Sequence, residues 1–153
     1  MIRRIKISNM QEGDINEAKK IWNSQYELYC SSSDLPTYWK EDNSMIENFL
    51  KIKINRKSAV VAKLEERVVG FLAYDEFPFH GENSVFCPAI GHAAIEEYKE
   101  SVYIELYTSI SKQWINKNIF NHMWTIFFNW ILKQLICMEI SFGQNTLHRC
   151  FYP

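Results

Sequence analysis

A histidine inside an apolar stretch is the side chain best suited to acid–base chemistry in this sequence. His92 lies in the run 85–95, which is otherwise interrupted only by Pro88 and Gly91. An imidazole titrates near neutral pH, so His92 is a candidate general base. The alternative is a histidine whose ring satisfies hydrogen bonds at an irregular point of a strand. The sequence alone leaves both interpretations open.

Other acid–base side chains are scattered along the chain. Glu96 and Glu97 are alternative bases, or charges that face solvent. Glu76 and His80 fall in a loop, where substrate contact and plain surface are equally compatible with the pattern. His122 precedes an apolar strand and is expected to have a structural role.

The cysteines and the short motifs exclude several classes of site. No CxxC pair or His/Cys cluster is present, so neither a zinc site nor any other metal site is expected. The sequence also lacks the G-x-S-x-G, Walker, H-E-x-x-H and G-x-G-x-x-G motifs. Widely separated cysteines favour reduced, mostly buried thiols. They are Cys30, Cys87, Cys137 and Cys150.

Length and charge narrow the class of protein further. The 153 residues suit one domain, and we expect a single domain over 1–153. A formal net charge of −1 gives no general attraction to nucleic acid or to an acidic membrane. No run resembles a signal peptide or a membrane span, so the sequence predicts a cytoplasmic protein. Aromatic residues make up 15% of the chain, which indicates a bulky core or an aromatic pocket wall.

Hydrophobic periodicity predicts a mixed α/β fold in the order β-α-α-β-β-β-α-β-α-(β), with helices on the faces of one mixed sheet. The predicted strands are 5–7, 58–64, 67–74, 85–95 and 120–128, and the predicted helices are 15–29, 45–55, 101–116 and 130–139. Asp14 and Glu17 have the spacing of a capping box before the first helix. Strand 120–128 lacks a polar face and is predicted to be central. The stripe of the first helix consists of Ala18, Ile21, Trp22, Gln25 and Tyr29.

Several short motifs, in this order, resemble the GNAT N-acetyltransferase superfamily. The resembling segments are 5–7 with 14–18, the "vvGf"-like strand 68–72, the "hPeYR"-like segment 95–99, and 125–129 with 141–143. A closer likeness is to GNAT-like proteins with a Gly-His-Ala stretch before a Tyr-rich helix, here Gly91 to Ala93 and then Tyr103 and Tyr107. In that group the fold often forms one half of a longer two-domain protein.

The resemblance implies acetyl-coenzyme A as cosubstrate, bound where the fourth strand separates from the fifth. Its pantetheine arm would lie along the fourth strand, and its pyrophosphate at the start of the next helix, where free N–H groups and the helix dipole favour an anion. The implied cofactor-binding positions are Ala93, Ala94 and Ile95 for the arm, Lys99, Glu100, Ser101, Val102 and Tyr103 for the pyrophosphate, and Asn129.

Two features depart from the family pattern. The family loop has glycines where this chain has Val102 and Ile104, and these side chains are predicted to hinder approach of the phosphates. Lys99 would compensate partly as a point charge. The family's acidic tyrosine matches a position near Cys137, whose thiol is either a weak candidate proton donor or a buried structural group. His92 is the implied general base.

Two functions are compatible with this pattern. The first is an acetyl-CoA-dependent N-acetyltransferase that transfers an acetyl group to a primary amine of a small molecule or peptide. The second is a non-catalytic GNAT-like module that acts through dimerisation or partner binding. The missing glycines and the missing tyrosine support the second. The activity that is general in the family favours the first, so the acetyltransferase is the predicted function and the non-catalytic module is the alternative.

Overall fold

A computed structural model of the protein describes residues 4–32 and 43–125. The helices in this part are Ile15–Ser32 (α1), Asn43–Asn55 (α2) and Lys99–Asn116 (α3). The strands are Lys6–Asn9 (β1), Ala59–Leu64 (β2), Arg67–Ala73 (β3), Asp75–Phe79 (β4), Glu82–Cys87 (β5), His92–Ala94 (β6) and Asn121–Trp124 (β7). Short 3-10 turns precede α1, join β5 to β6 and precede α3.

The strands form two sheets, and the chain passes from one sheet to the other between β3 and β4 and between β5 and β6. One sheet has the order β1-β2-β3-β6 and is antiparallel. The other has the order β4-β5-β7, in which β5 and β7 are parallel. Tyr74 separates β3 from β4, and the turn Ala89–Gly91 separates β5 from β6. A Cβ atom at Gly91 would lie 2.5 Å from the Ala73 carbonyl oxygen, so this interruption requires glycine.

The helices pack on opposite faces of the antiparallel sheet. On one face α1 and α2 place Trp22, Ile46 and Leu50 against Val61 and Phe71. The residues of α3 pack on the other face, where Leu106, Ile110 and Trp114 contact a second apolar cluster. Alternate residues of β2 and β3 belong to the two clusters, as a strand buried on both faces requires. The result is three layers, helix, sheet and helix.

The mixed α/β fold class is confirmed, and most element boundaries agree with the sequence. The predicted loop position of Glu76 is wrong, because Asp75–Phe79 pairs with β5 as strand β4. The hairpin turns at Glu65 and Glu66 as predicted, and both residues adopt left-handed backbone angles, φ 50° and 67°. The predicted strand 85–95 is divided into β5 and β6. Within the described residues β7 lies at the edge of its sheet, so the central position of 120–128 stays a prediction. The predicted helix 130–139 lies outside the described residues.

The predicted capping box at the start of α1 is wrong. The Asp14 carboxylate accepts the N–H of Gln11 at 2.9 Å and pairs with Lys63 at 2.7 Å. The Glu17 carboxylate instead accepts the backbone N–H of Val68 on β3 at 2.9 Å. Both acids therefore join the helix start to the sheet, because each finds a partner there that an isolated helix does not offer.

Candidate functional site

An opening forms where β6 turns away from β7. Strand β5 pairs with β7 up to Cys87 and Trp124, and the Thr125 N–H donates to the Cys87 carbonyl at 2.9 Å. Beyond that point the chain turns through 89–91, and among the described residues β6 pairs with β3 alone. One edge of β6 therefore faces away from the sheet. This edge is the place where the resemblance implies a cofactor arm.

Backbone direction decides which groups of β6 face the opening. The Ile95 N–H donates to Val69 on β3 at 2.9 Å. Because successive residues alternate, residues 93 and 95 direct their backbone groups to β3, whereas 92 and 94 direct theirs to the opening. Of the three positions implied for the arm, only Ala94 presents its N–H there.

The side chain of Gln25, on α1, covers this edge. Its Nε2 donates to the His92 carbonyl at 3.5 Å, and its Oε1 accepts the Ala94 N–H at 3.3 Å. Gln25 is only 5% exposed. It was not among the predicted site residues, although a polar residue on the otherwise apolar stripe of the first helix was the signal that could have identified it.

The His92 ring bridges the opening and uses both of its nitrogens. Nε2 lies 2.8 Å from the Thr125 carbonyl oxygen, and Nδ1 lies 2.9 Å from the Tyr103 hydroxyl. A carbonyl only accepts, so Nε2 carries the proton and Nδ1 accepts from Tyr103. Burial lowers the pKa of His92, although the bond to Thr125 opposes this shift. The ring is therefore neutral and fully hydrogen-bonded, which supports the structural interpretation.

An aromatic cluster surrounds His92 and closes the same region. The Tyr103 ring lies 5.6 Å from His92 and 6.0 Å from Trp124, measured between ring centroids. One helical turn further, Tyr107 repeats the arrangement: its hydroxyl lies 2.9 Å from Nδ1 of His122. Burial raises the pKa of Tyr103 and of Tyr107. Tyr103, Tyr107 and Trp124 therefore join α3 to β6 and β7.

The start of α3 does not have the character of an anion site. The helix already begins at Lys99, and the N–H groups of Tyr98 and Lys99 donate to Ile95 and Glu96. Glu96, Glu97 and Glu100 occupy the first turns. Lys99 Nζ pairs with Glu96 at 3.2 Å. Three carboxylates beside one paired lysine repel a pyrophosphate.

Val102 and Ile104 differ in where their side chains lie. Val102 is fully buried, and Gly70 on β3 provides its space, because a Cβ at Gly70 would lie 2.4 Å from Val102 Cγ1. The Val102 side chain thus packs against the sheet. It does not lie at the surface, where it was predicted to hinder the phosphates. Ile104 is 46% exposed. Ser101 is an exposed residue of the same helix.

The remaining candidates do not converge on the opening. Glu76 pairs with Lys117, and both line a groove of about 340 Å³ beside the β4–β5 hairpin. His80 is exposed at the tip of that hairpin. Cys87 is a free, buried thiol whose pKa is raised by burial. Asn129 and Cys137 lie outside the described residues.

Residues 4–32 and 43–125 contain no helix long and apolar enough to cross a membrane. They also contain no group of three or more His, Cys, Asp or Glu side chains placed to hold a metal ion.

The described residues fit acetyl-CoA poorly. A strand edge suited to an amide chain is present, but Gln25 lies on it. The helix start that would receive the pyrophosphate is acidic and has no glycine loop.

Comparison with known proteins gives similarity in structure and none in sequence. No protein-family model matches the chain, and no curated protein matches it. A possible acetyltransferase from Clostridium difficile 630 superposes with a TM-score of 0.65 at 13% identity, covering 97% of each chain. A predicted acetyltransferase with acetyl-CoA from Clostridium acetobutylicum gives 0.58 at 9% identity, covering 80% of this chain and 81% of that one.

A third structural neighbour is a much longer chain than this one. A GCN5-related N-acetyltransferase from Kribbella flavida gives a TM-score of 0.53 at 11% identity, covering 76% of this chain but only 28% of that one. The same fold therefore occurs there as one part of a much longer chain. At these identities the likeness establishes the fold alone.

Proposed function

The chain has the fold of the GNAT acetyltransferases, and we propose that it is a non-catalytic module of this fold that acts by binding a partner. The observation that carries this proposal is the start of α3, which has Glu96, Glu97 and Glu100 in its first turns and no glycine loop. An acetyl-CoA enzyme needs its pyrophosphate held by free N–H groups, and this helix start offers carboxylates.

The state of His92 supports the same conclusion. A general base must have a free lone pair within reach of the proton that it removes. The lone pair of Nδ1 already accepts from Tyr103, and Nε2 donates to Thr125. Removing a proton from an amine would require breaking the bond to Tyr103. His92 therefore suits the role of a bridge across the opening better than that of a base.

The partner that we favour is a second domain of the same fold. The sequence resembles GNAT-like halves of two-domain proteins, and one structural neighbour matches through only 28% of its length. We expect the partner domain to carry out the chemistry and this domain to provide a binding surface. The same reasoning applies if the partner is a second copy of this chain.

The competing proposal is an acetyl-CoA-dependent N-acetyltransferase acting on a small amine or peptide. It is favoured by the opening between β6 and β7 and by a neighbour described with acetyl-CoA. It requires Gln25 to leave the β6 edge and the acidic turn to accept a pyrophosphate. The first requirement is a rotamer change, but the second opposes the charge of the site.

Titration with acetyl-CoA distinguishes the two proposals. We expect neither heat of binding nor a rise in melting temperature for the wild-type chain at millimolar acetyl-CoA, since only a ligand that binds the folded state stabilises it. A triple variant with Glu96, Glu97 and Glu100 each changed to Gln removes the repulsion and should bind coenzyme A more tightly than the wild type.

The matched control changes three exposed glutamates elsewhere to Gln, at positions 65, 66 and 105, and should leave binding unchanged. Saturable binding of acetyl-CoA by the wild-type chain, with transfer to any amine, would overturn the proposed function in favour of the acetyltransferase.

A further inference from the structure

The groove beside the β4–β5 hairpin lies at the start of β7, whereas the opening at β6 lies beyond the end of β7. Its volume is about 340 Å³, which is large enough for one aromatic side chain. The walls combine apolar surface with one acid and one base. The lining residues are Glu76, Phe77, Pro78, Asn83, Lys117 and Ile119.

Exposed apolar side chains are concentrated around this groove. Phe120 is 64% exposed, Ile115 is 44% exposed and Phe79 is 39% exposed. They are three of the six large apolar side chains that are exposed within residues 4–32 and 43–125. They lie on the two segments that also line the groove, the hairpin and the chain from the end of α3 to β7. A single exposed apolar residue is common in any protein, but a group of them around a groove is typical of an interaction surface.

The backbone on both sides of Phe120 is firmly held. The N–H groups of residues 117–119 donate to carbonyl groups in the last turn of α3 at distances of 2.9 to 3.0 Å. Ile119 is buried, and Asn121 pairs with Ser84 on β5. The exposure of Phe120 therefore does not come from a loose segment. A partner that covers this ring has little backbone to order, which favours binding.

Phe120 lies next to the groove and is not one of its lining residues. Since Asn121 is in parallel register with Ser84, Phe120 comes beside Asn83, which does line the groove. The surface thus has an exposed aromatic ring adjacent to a depression that can receive one. When a two-fold axis relates two copies of such a surface, each ring enters the groove of the other copy.

The charges of the groove also suit a second copy. Glu76 and Lys117 pair within one chain, and their side chains are 40% and 53% exposed. Exposed ion pairs contribute little to stability, so each side chain can exchange its partner at little cost. In a two-fold contact Lys117 of each copy can face Glu76 of the other, so both charges are matched. The formal net charge of −1 adds no general repulsion between copies.

We propose that this surface binds a second copy of the chain in a two-fold dimer, with each Phe120 ring in the groove of the other copy. The inference rests on the proposed function, partner binding, and deepens it by naming the surface and the partner. It uses no residue of the β6 opening or of the acidic start of α3. Oligomeric state therefore tests it separately from acetyl-CoA binding.

Analytical ultracentrifugation over a range of protein concentrations tests the dimer. We expect the wild-type chain to dimerise, and Phe120→Ser to weaken the dimer by about tenfold or more, as truncation of a central aromatic residue does at many interfaces. Ile52→Ser is the matched control. Ile52 is also exposed, but it lies on α2, which packs on the other face of the sheet. This variant should dimerise like the wild type.

A mixing experiment shows whether the charges meet between chains. Lys117→Glu leaves two acids on the surface, and Glu76→Lys leaves two bases, so each variant alone should be monomeric through repulsion of like charges. An equal mixture of the two variants should form a mixed dimer, because the charges across the axis are then opposite. Mixing cannot restore an ion pair that acts only within one chain.

A wild-type chain that stays monomeric at the highest concentration would overturn the inference, whatever else covers the groove. A dimer that Phe120→Ser leaves unchanged would do the same, as would charge variants that do not associate on mixing. None of these results affects the proposed function, which the acetyl-CoA titration tests. Acetyl transfer by the wild-type chain would overturn the proposed function and leave the dimer in place.

Discussion

His92 has the residue type of a catalytic base but the surroundings of a structural group. It is 5% exposed, and its ring joins β6 to the end of β7 through Thr125 and to α3 through Tyr103. In the neutral ring Nε2 donates to the Thr125 carbonyl and Nδ1 accepts from the Tyr103 hydroxyl. Protonation would turn Nδ1 into a donor to the Tyr103 hydroxyl, and it would bring a positive charge into a buried region near Lys99.

This arrangement predicts that stability falls in mild acid. Burial holds the pKa of folded His92 below its ordinary value of about 6.5, so the unfolded state takes up the proton first as the pH falls. The contribution of His92 to the free energy of unfolding is therefore complete above about pH 6.5 and is progressively lost below it. Urea unfolding at several pH values between 8 and 5 measures this loss.

The variant His92→Gln provides the reference for that experiment. It removes the titrating group, so the difference in unfolding free energy between wild type and variant should shrink as the pH falls from 7 to 5. A difference that stays constant over this range would show that the ring titrates normally in the folded protein.

At the scale of elements, the turn of the β2–β3 hairpin has residue types that do not suit its backbone conformation. Glu65 and Glu66 both adopt positive φ angles. This conformation costs about 1–2 kcal/mol for each residue other than Gly, Asn or Asp. Asn-Gly is the preferred pair for a two-residue turn of this kind. Replacing Glu65-Glu66 with Asn-Gly removes the cost at both positions, less the extra backbone entropy that Gly loses on folding, and should raise the free energy of unfolding by about 1–3 kcal/mol.

Chemical denaturation measures this gain, and the double change to Gln-Gln is its control. Gln-Gln removes the same two charges but keeps the side chains that strain the turn. Equal stabilisation by both variants would assign the effect to charge and would contradict the backbone explanation.

The spacing between β3 and α3 depends on one glycine. A Cβ at Gly70 would meet Val102 Cγ1 at 2.4 Å and the Ala93 carbonyl at 2.9 Å. Gly70→Ala should therefore destabilise the protein by about 1–3 kcal/mol through overpacking. In a Val102→Ala background the nearer contact is absent, so the same change should cost less. Thermal unfolding of the four proteins in this cycle gives the coupling, and strictly additive effects would contradict the contact.

The sequence predicts the elements well because each has a local signal. The apolar stripe of α3 and the turn at Glu65-Glu66 are examples, and Trp22, on the predicted stripe of the first helix, is buried. The site is predicted less well because it depends on contacts between distant residues. Gln25 meets Ala94 across 69 positions, and Val102 fits the sheet only because Gly70 lies opposite. No spacing rule within one element contains that information.

At the scale of the whole molecule, two apolar clusters lie on opposite faces of one sheet. Val61 belongs to the α1–α2 side and Val60 to the α3 side, although they are neighbours in β2. The same sheet covers both clusters, so unfolding of the sheet exposes both of them to water. We therefore expect residues 4–32 and 43–125 to unfold as one cooperative unit, in keeping with the prediction of a single domain.

A matched pair of substitutions tests this cooperativity. Ile46 in α2 and Ile110 in α3 are each 1% exposed and pack on opposite faces. Ile46→Val and Ile110→Val should each lower the free energy of unfolding by about 0.5–1.5 kcal/mol, the usual cost of one buried methylene. Because the sites share no partner, the destabilisation of the double variant should equal the sum of the two single effects to within about 0.5 kcal/mol.

Each single change should shift the midpoint of the urea transition by the same amount whether unfolding is followed by tryptophan fluorescence or by circular dichroism, because both signals come from one cooperative unit. Separate transitions, or a shift in one signal alone, would mean that the two layers unfold independently and that the sheet does not couple them.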